Sequence, residues 1–485
     1  MQLSHTRPVA AAIFDDPNLV STAGLVPVIA LAQRCDLADL ADEHLSVPTD
    51  KGANAGMKVG SVVAGMVAGA DSIADMALLR HGAMKTLFDR PYAPSTLGSF
   101  LREFTFGHVR QLDAVASRFL CRLAEYTPIV AGVDGGGGPV MIDIDDSIIE
   151  VHGHSKQGSS YGYSGVRGLN SLISTLTTST TAPVIVGQRL RKGSCGSSRG
   201  AARMIADTLT TVGRMRAAAA LSAIPSGNDA ELQPMPKPLV RADSAFFGHP
   251  TIGAAIRGGA DVSITTGLNS VIRSAIATIS DDVWTPIEYT HAIFDEQTQR
   301  WISAAEVAEI PFTAFASQKK AHHVPGRLIV RRIPDLRPQK DQGQRHLFDV
   351  WRFHAFFTTA DPAEFDTVAA DKTHRRHAII EQVHADLKNS ALAHLPSSRF
   401  TANAAWLVCA VMAFNLTRAA ATLTADPQLV KASTGTIRRT VISVPARIAY
   451  SARKLTLHLP TGWPWAKPWM TLFESMFRRN IPIIA

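Results

Sequence analysis

Three acidic residues in unlike local settings carry the chemistry open to this chain. Asp145 lies in the strand-like run VMIDIDDSIIEV, Asp243 in LVRADSAFFG, and Glu381 in the helix-like run HRRHAIIEQVHADLKNSAL, with Lys388 seven residues later. Three carboxylates drawn from distant segments can hold two Mg²⁺ ions, with Mn²⁺ as a substitute. One ion then activates water or a 3′-hydroxyl, and the other stabilises the leaving oxygen of an in-line displacement at phosphorus. Positioning and charge neutralisation are what remain for the protein. Lys388 suits a phosphate contact beside such a site.

Each acid also has a plainer reading. On a strand, Met141, Asp143, Asp145 and Ser147 share one face and Val140, Ile142, Ile144 and Asp146 the other. Two carboxylates on one face are costly to bury without a cation or donor, but an edge strand with one wet face would also carry them. Asp243 follows Leu239-Val240 and precedes a loop, where it could bind a ligand beyond a strand end or simply cap the next turn. Glu381, Lys388, His374, His377 and His384 form one helical stripe, and such stripes are usually solvated. Zinc on His377, Glu381 and His384 would need a spacing that matches no metalloprotease motif.

Positioning these residues takes more than one simple core, and at 485 residues two or three domains are expected. Residues 1–133 read as a helical domain, closed by the break Asp134-Gly135-Gly136-Gly137-Gly138-Pro139. Asp71, Ser72 and Asp75 fit a helix start, and Pro94-Ser95-Thr96-Leu97 a cap followed by an apolar pattern. Beyond the break, 139–151, 183–190 and 261–266 read as strands and 201–223 as a helix, which suggests an α/β core over 139–267. Residues 268–350 turn to short β-prone runs and read as a β-rich insertion. Helical patterning returns at 371–391 and 399–425, so 351–425 rejoins the core. Residues 426–485 form a basic segment with Trp463, Trp465 and Trp469 among prolines; these tryptophans are expected to pack a core.

Bulk composition narrows the partners. The chain is 46% hydrophobic and 19% charged, ordinary for a globular protein, with net charge +8 and pI about 9.4, which favours a polyanion. Cys35, Cys121, Cys195 and Cys409 lie far apart, against a zinc ribbon or disulfide framework. Cys195 has no visible base partner, so a thiol nucleophile is not expected. The amino terminus lacks a signal layout, and the apolar run Val59 to Ala70 is too short to span a bilayer; a cytoplasmic protein with no membrane partner is expected. Lys319, Lys320, Arg327, Arg331, Arg332, Arg337, Lys340 and Arg345 gather between 319 and 346 and are expected to meet DNA phosphates, a solvated loop being the alternative. Arg438, Arg439, Arg447, Arg453 and Lys454 form a second cluster. His152, His154 and Lys156 read as loop residues near the first strand.

The ordered motifs resemble those of DDE transposases of bacterial insertion sequences, most closely the insertion sequence 1380 family. The likeness runs through GADSIADMALLRHG, APSTLGSFLREFTFGHVRQL, MIDIDDSIIEVHGHSKQGSSYGY, RLRKGSCGSS and VRADSAFF. It then takes in the Glu-x6-Lys segment, FTANAAWLVCAVMAFNL and VPARIAYSARKLTLHLPTGWPW. The first family aspartate precedes a Thr or Ser by two residues, which selects Asp145 with Ser147; Asp143 is the fallback on the same face. The second falls on Asp243, and the glutamate on Glu381 with Lys388 after it. Related transposases often carry Tyr and Arg seven and four residues before the Glu, where this chain has His374 and His377.

The resemblance implies an RNase-H-like core interrupted by a β-rich insertion, with a helical amino-terminal region that binds or pairs element ends. It implies metal-dependent cleavage of double-stranded DNA at terminal inverted repeats and 3′-hydroxyl attack on target DNA, by a homodimer acting at the nucleoid. Two alternatives stay open: an RNase-H-like nuclease without strand transfer, and a catalytically silent DNA-binding descendant.

Overall fold

A computed structural model describes residues 11–89, 91–153, 155–222, 235–295, 300–334, 351–452 and 454–477. Arg337, Lys340, Arg345, His154 and Arg453 lie outside the described residues. A short strand β1 (Leu19–Val20) precedes six helices: α1 (Leu25–Arg34), α2 (Leu37–His44), α3 (Ala55–Ala68), α4 (Met84–Leu87), α5 (Pro94–Arg102) and α6 (Phe106–Tyr126). Ser72 and Asp75 do start a helical turn, of the 3₁₀ type over Ala74–Leu79, with the Ser72 amide and hydroxyl both donating to Asp75. The helix at Pro94 begins on the proline itself, whose missing N–H costs nothing in a first turn.

After the glycine break come β2 (Met141–Glu150), β3 (Ser160–Tyr161), β4 (Arg167–Thr177) and β5 (Val184–Lys192), then α7 (Ala201–Ser222). There follow β6 (Leu239–Ala242), α8 (His249–Arg257), β7 (Asp261–Thr266) and α9 (Ser270–Ile276). Next are β8 (Thr285–Asp295), β9 (Arg300–Ala314), β10 (Val324–Pro334) and β11 (Trp351–Thr358). The chain continues through α10 (Thr367–Arg375), α11 (Ile379–Lys388), α12 (Phe400–Thr422), α13 (Pro427–Lys431) and α14 (Thr434–Ile437), then β12 (Ala446–Ser451), β13 (Lys454–His458) and α15 (Ala466–Phe477).

The strands explain the architecture. β4 is antiparallel to both β2 and β5, while β6 runs parallel to β2 and β7 parallel to β6. Parallel neighbours need a crossover, which α7 supplies between β5 and β6, and α8 between β6 and β7. The order β5-β4-β2-β6-β7, three antiparallel strands beside two parallel ones, is the RNase-H-like arrangement. β11 then adds antiparallel to β7, and β10, β9 and β8 extend the same sheet, so the β-rich run continues the core sheet.

α12 is the one helix among the described residues long and apolar enough to cross a membrane, and its apolar stretch is wholly buried. It packs on α6, α3, α5 and α1 and on β5, tying the amino-terminal helices to the sheet. At its middle, Asn415 accepts from the Ile185 amide and donates to the Ile185 carbonyl, filling both backbone positions beside the β4–β5 irregularity. β1 pairs with β12, and Trp469 is buried while Trp463 donates to the Thr440 carbonyl, so these two tryptophans do pack inward.

Candidate active site

The face of β2 bearing Met141, Asp143, Asp145 and Ser147 is covered by the segment that leads into and through α11. Strand and helix meet in step. His377 Nδ1 lies 3.0 Å from Asp143 Oδ1, His384 Nε2 lies 3.8 Å from Asp145 Oδ2, and Lys388 Nζ donates to Ser147 Oγ at 2.6 Å. Asp146, on the opposite face, is taken up by Arg191 at 2.7 Å and by Asn170.

Asp143 and Asp145 have different fates. Asp143 is fully buried in a two-pronged ion pair, with Arg241 Nε and Nη2 each 2.7 Å from one of its oxygens. Arg241 Nη1 donates to the Thr373 carbonyl. Asp145 has no guanidinium partner among the described residues. Burial pushes its carboxyl up to about 7, and the charge of Asp243 pushes the same way. Lys388, half-buried beside it, has its own pKa lowered by desolvation.

Asp243 reaches this place through register. β2 and β6 pair Asp143 with Arg241 and Ile144 with Ala242, so the next residues, Asp145 and Asp243, follow side by side past the end of the pairing. One Asp243 oxygen accepts from the Ala245 amide at 3.0 Å, capping the 3₁₀ turn Ser244–Phe246. The turn-capping reading of Asp243 is therefore correct, and it leaves the second oxygen for a ligand. Its side chain reaches solvent at the rim of the sheet, yet the surrounding protein raises its pKa as well.

Two carboxylates held in the neutral direction by burial, and in Asp145 also by the neighbour's charge, fit a hard divalent cation, which would relieve both penalties. Glu381 shares the helix stripe with His377, His384 and Lys388 but is exposed. Among the described residues no three His, Cys, Asp or Glu side chains stand close enough to hold a metal as placed. The structure thus brings Asp145, Asp243 and Lys388 together, while Glu381 lies on α11 facing solvent. The zinc reading gains nothing: His377 and His384 serve different aspartates. Burial lowers His384 to about 4, and its buried Nε2 has no hydrogen-bond partner among the described residues.

Asp145 makes a pH prediction. Because its folded-state pKa lies above the unfolded value, the folded protein binds the extra proton between about pH 4 and 7, and stability falls as pH rises through that window. In metal-free buffer the melting temperature should drop from pH 4 to pH 7 more steeply for the wild type than for Asp145→Asn. Identical slopes would remove the burial argument for this carboxyl.

His374 is not near the carboxylates in function. Its ring is buried and stacked on Phe356 at 4.0 Å, with its nitrogens 2.9 Å from the Ser263 and Thr265 hydroxyls, and burial pulls its pKa down to about 3. That anchoring accompanies a 3₁₀ turn, Arg376–Ala378, which splits the helix expected over 371–391. Arg331 is ion-paired to Asp371 at 3.0 Å. Arg332 is sandwiched between Trp284 and Trp351 and paired with Glu306 and Asp281. Both spend their charge inside the fold. Lys319 and Lys320 are exposed on the β9–β10 turn, which leans on the loop after Asp243 through Phe315 on Phe247 and His322 on His249. Lys156 donates to the Leu395 carbonyl, a structural role.

Sequence reasoning missed Arg241. Its signal was visible: it stands two residues before Asp243 in an otherwise apolar strand, on the same strand face.

The sequence profile of the family described as "Transposase DDE domain group 1" matches residues 2–480. The chain belongs to that family of transposases. No curated protein sequence matches it significantly. Among solved structures, a cryo-EM structure of the piggyBac transposase synaptic complex with hairpin DNA is similar at 10% identity. The match covers 88% of this chain and 80% of that one, with a TM-score of 0.37.

Proposed function

We propose that the protein is an insertion-sequence transposase, of the insertion sequence 1380 type, that cuts double-stranded DNA at its element's terminal inverted repeats and joins the freed 3′-hydroxyl to target DNA. The observation that carries this reading is the register of β2 with β6, which sets Asp145 beside Asp243 under the stripe Glu381–Lys388. Asp145 and Asp243, with Glu381 turned inward, would hold two Mg²⁺ or Mn²⁺ ions. Such ions, when bound, supply the Lewis acidity that phosphoryl transfer needs.

The chain's own residues do the rest. Asp145 and Asp243 fix where the reacting phosphate sits, because both follow directly on the last paired residues of β2 and β6, at the carboxyl end of β6. Lys388, held by Ser147 beside Asp145, offers a cation to a non-bridging phosphate oxygen. Lys319 and Lys320, exposed on the turn beside the loop after Asp243, meet the DNA backbone on that side. Arg331 and Arg332, committed to internal partners, hold the extended sheet together. Two copies acting on two paired ends complete the reading.

The test is Mg²⁺-dependent cleavage and joining on DNA carrying the flanking inverted repeats. Nicking at the ends followed by joining is the expected result. Cutting without joining would favour the nuclease. End binding with no chemistry under Mg²⁺ or Mn²⁺ would favour a silent descendant.

A further inference from the structure

On the stripe that faces β2, His377 is used by neither the metal reading nor the phosphate contacts. His377 lies in the 3₁₀ turn just before α11, four residues ahead of Glu381, and its Nδ1 is 3.0 Å from Asp143 Oδ1. Asp143 is fully buried and Arg241 nearly so, and Arg241 grips both oxygens of Asp143 while also donating to the Thr373 carbonyl. Asp143 is therefore an ionised acceptor clamped from below, and a ring nitrogen facing it must carry a proton. With Nδ1–H donating to Asp143, the Nε2 of a neutral ring is left as the acceptor.

The imidazole ring sets the direction. Its two nitrogens point to opposite sides, so with Nδ1 turned down to a buried oxygen, Nε2 turns away from the strand floor. The ring is partly exposed, 15% against 0% for Asp143, so that direction leads toward the opening. Nε2 has no hydrogen bond among the described residues. The ring lies close enough to Asp145 and Asp243 to act on each of them electrostatically.

We propose that His377, held by the Asp143–Arg241 clamp, is a further catalytic residue whose Nε2 accepts a hydrogen bond from the attacking hydroxyl. That hydroxyl is water in the cleavage step and the 3′-hydroxyl in the joining step. The hydrogen bond turns an oxygen lone pair toward phosphorus, and the hydroxyl proton passes to Nε2 as the new P–O bond forms and the bond to the leaving oxygen breaks. A positioned acceptor of this kind contributes on the order of 100-fold to rate. The proposal rests on reading Asp145 and Asp243 as the reacting centre. It also gives Asp143 a use: a platform for the histidine, in place of metal ligation.

The test uses the full chain, Mg²⁺ and duplex DNA bearing the element's end. His377→Asn keeps a donor at the Nδ1 position for Asp143 and removes the outer nitrogen; His377→Ala opens space for added imidazole. Arg241 still grips Asp143 in both. Cleavage is expected to fall about 100-fold in turnover with KM and melting temperature near wild type, and free imidazole should restore part of the His377→Ala rate. Wild-type turnover in His377→Asn overturns the proposal. So does a loss in both variants that tracks lowered melting temperature and is not recovered by imidazole, since the histidine is then only a structural link. Asp145→Ala, assayed alongside, separates the two readings: if it keeps full activity, the assignment of the site itself fails and not only the role of His377.

Discussion

Replacing Asp145 or Asp243 by alanine should abolish DNA cleavage and joining while leaving end binding and folding intact. Each carboxylate would give up a direct bond to a cation that stabilises charge on the transferring phosphate. Losing several kcal/mol at the transition state corresponds to about 1,000-fold or more in rate. Folding should survive because neither side chain is gripped by a guanidinium among the described residues as Asp143 is by Arg241. Removing Asp145 also removes a carboxyl that burial disfavours, so the variant should melt no lower than the wild type above about pH 7. Glu381→Ala should lose activity with unchanged stability, as its side chain is exposed. Single-turnover cleavage on labelled end DNA, with binding measured by mobility shift in Ca²⁺, separates these effects. Full activity in Asp243→Ala would sink the two-carboxylate site, and activity surviving only in Asp145→Ala would return attention to Asp143.

Arg241→Met should be among the most destabilising single changes in the sheet. It strips a buried carboxylate of both charge-assisted hydrogen bonds and leaves His377 as its remaining partner. Breaking one side of a buried pair costs about 3–5 kcal/mol, because the survivor is left charged in a poor dielectric. The double replacement Arg241→Met with Asp143→Leu removes both charges and should recover most of that loss, since apolar replacement of a whole buried pair is often neutral. Chemical denaturation of the four proteins in the cycle measures the coupling. A single-variant loss below about 0.5 kcal/mol, the range of unremarkable surface changes, would show that the clamp is not what holds β2 to β6 and α10.

Much of the core was legible because its elements have clean periods. The alternation in 139–151, the short strand at 261–266 and the proline-free helix, described over Ala201–Ser222, all appear where the pattern places them. β4 escaped notice because it is buried on both faces, and RGLNSLISTLT mixes serine, threonine and leucine without a clean period of two. Some of its inward hydroxyls find partners, as Ser174 does in Thr208 and Ser171 in the Ser147 carbonyl, while those of Thr175 and Thr177 have none among the described residues. The break in the helix expected over 371–391 was equally hidden, since it accompanies His374 stacking on a phenylalanine from a different strand. The basic cluster around Arg331 and Arg332 shows the same limit. Its charge was plain in the sequence, but its partners, Asp371 and Glu306 with two tryptophans, come from separate segments.

The sequence by itself determined that Asp143, Asp145 and Ser147 would share a strand face and that Glu381 and Lys388 would share a helix stripe, because both follow from backbone geometry alone. Only the tertiary structure decided which aspartate is free. Asp143 and Asp145 are equivalent in the pattern, and they become different when β6 lies alongside and brings Arg241, 98 residues away, within 2.7 Å of one of them. Coulomb attraction falls with distance and strengthens as water is excluded, so one strand's register turns one carboxylate into a buried anchor and leaves its neighbour beside Asp243, with its proton held and a site open to a cation.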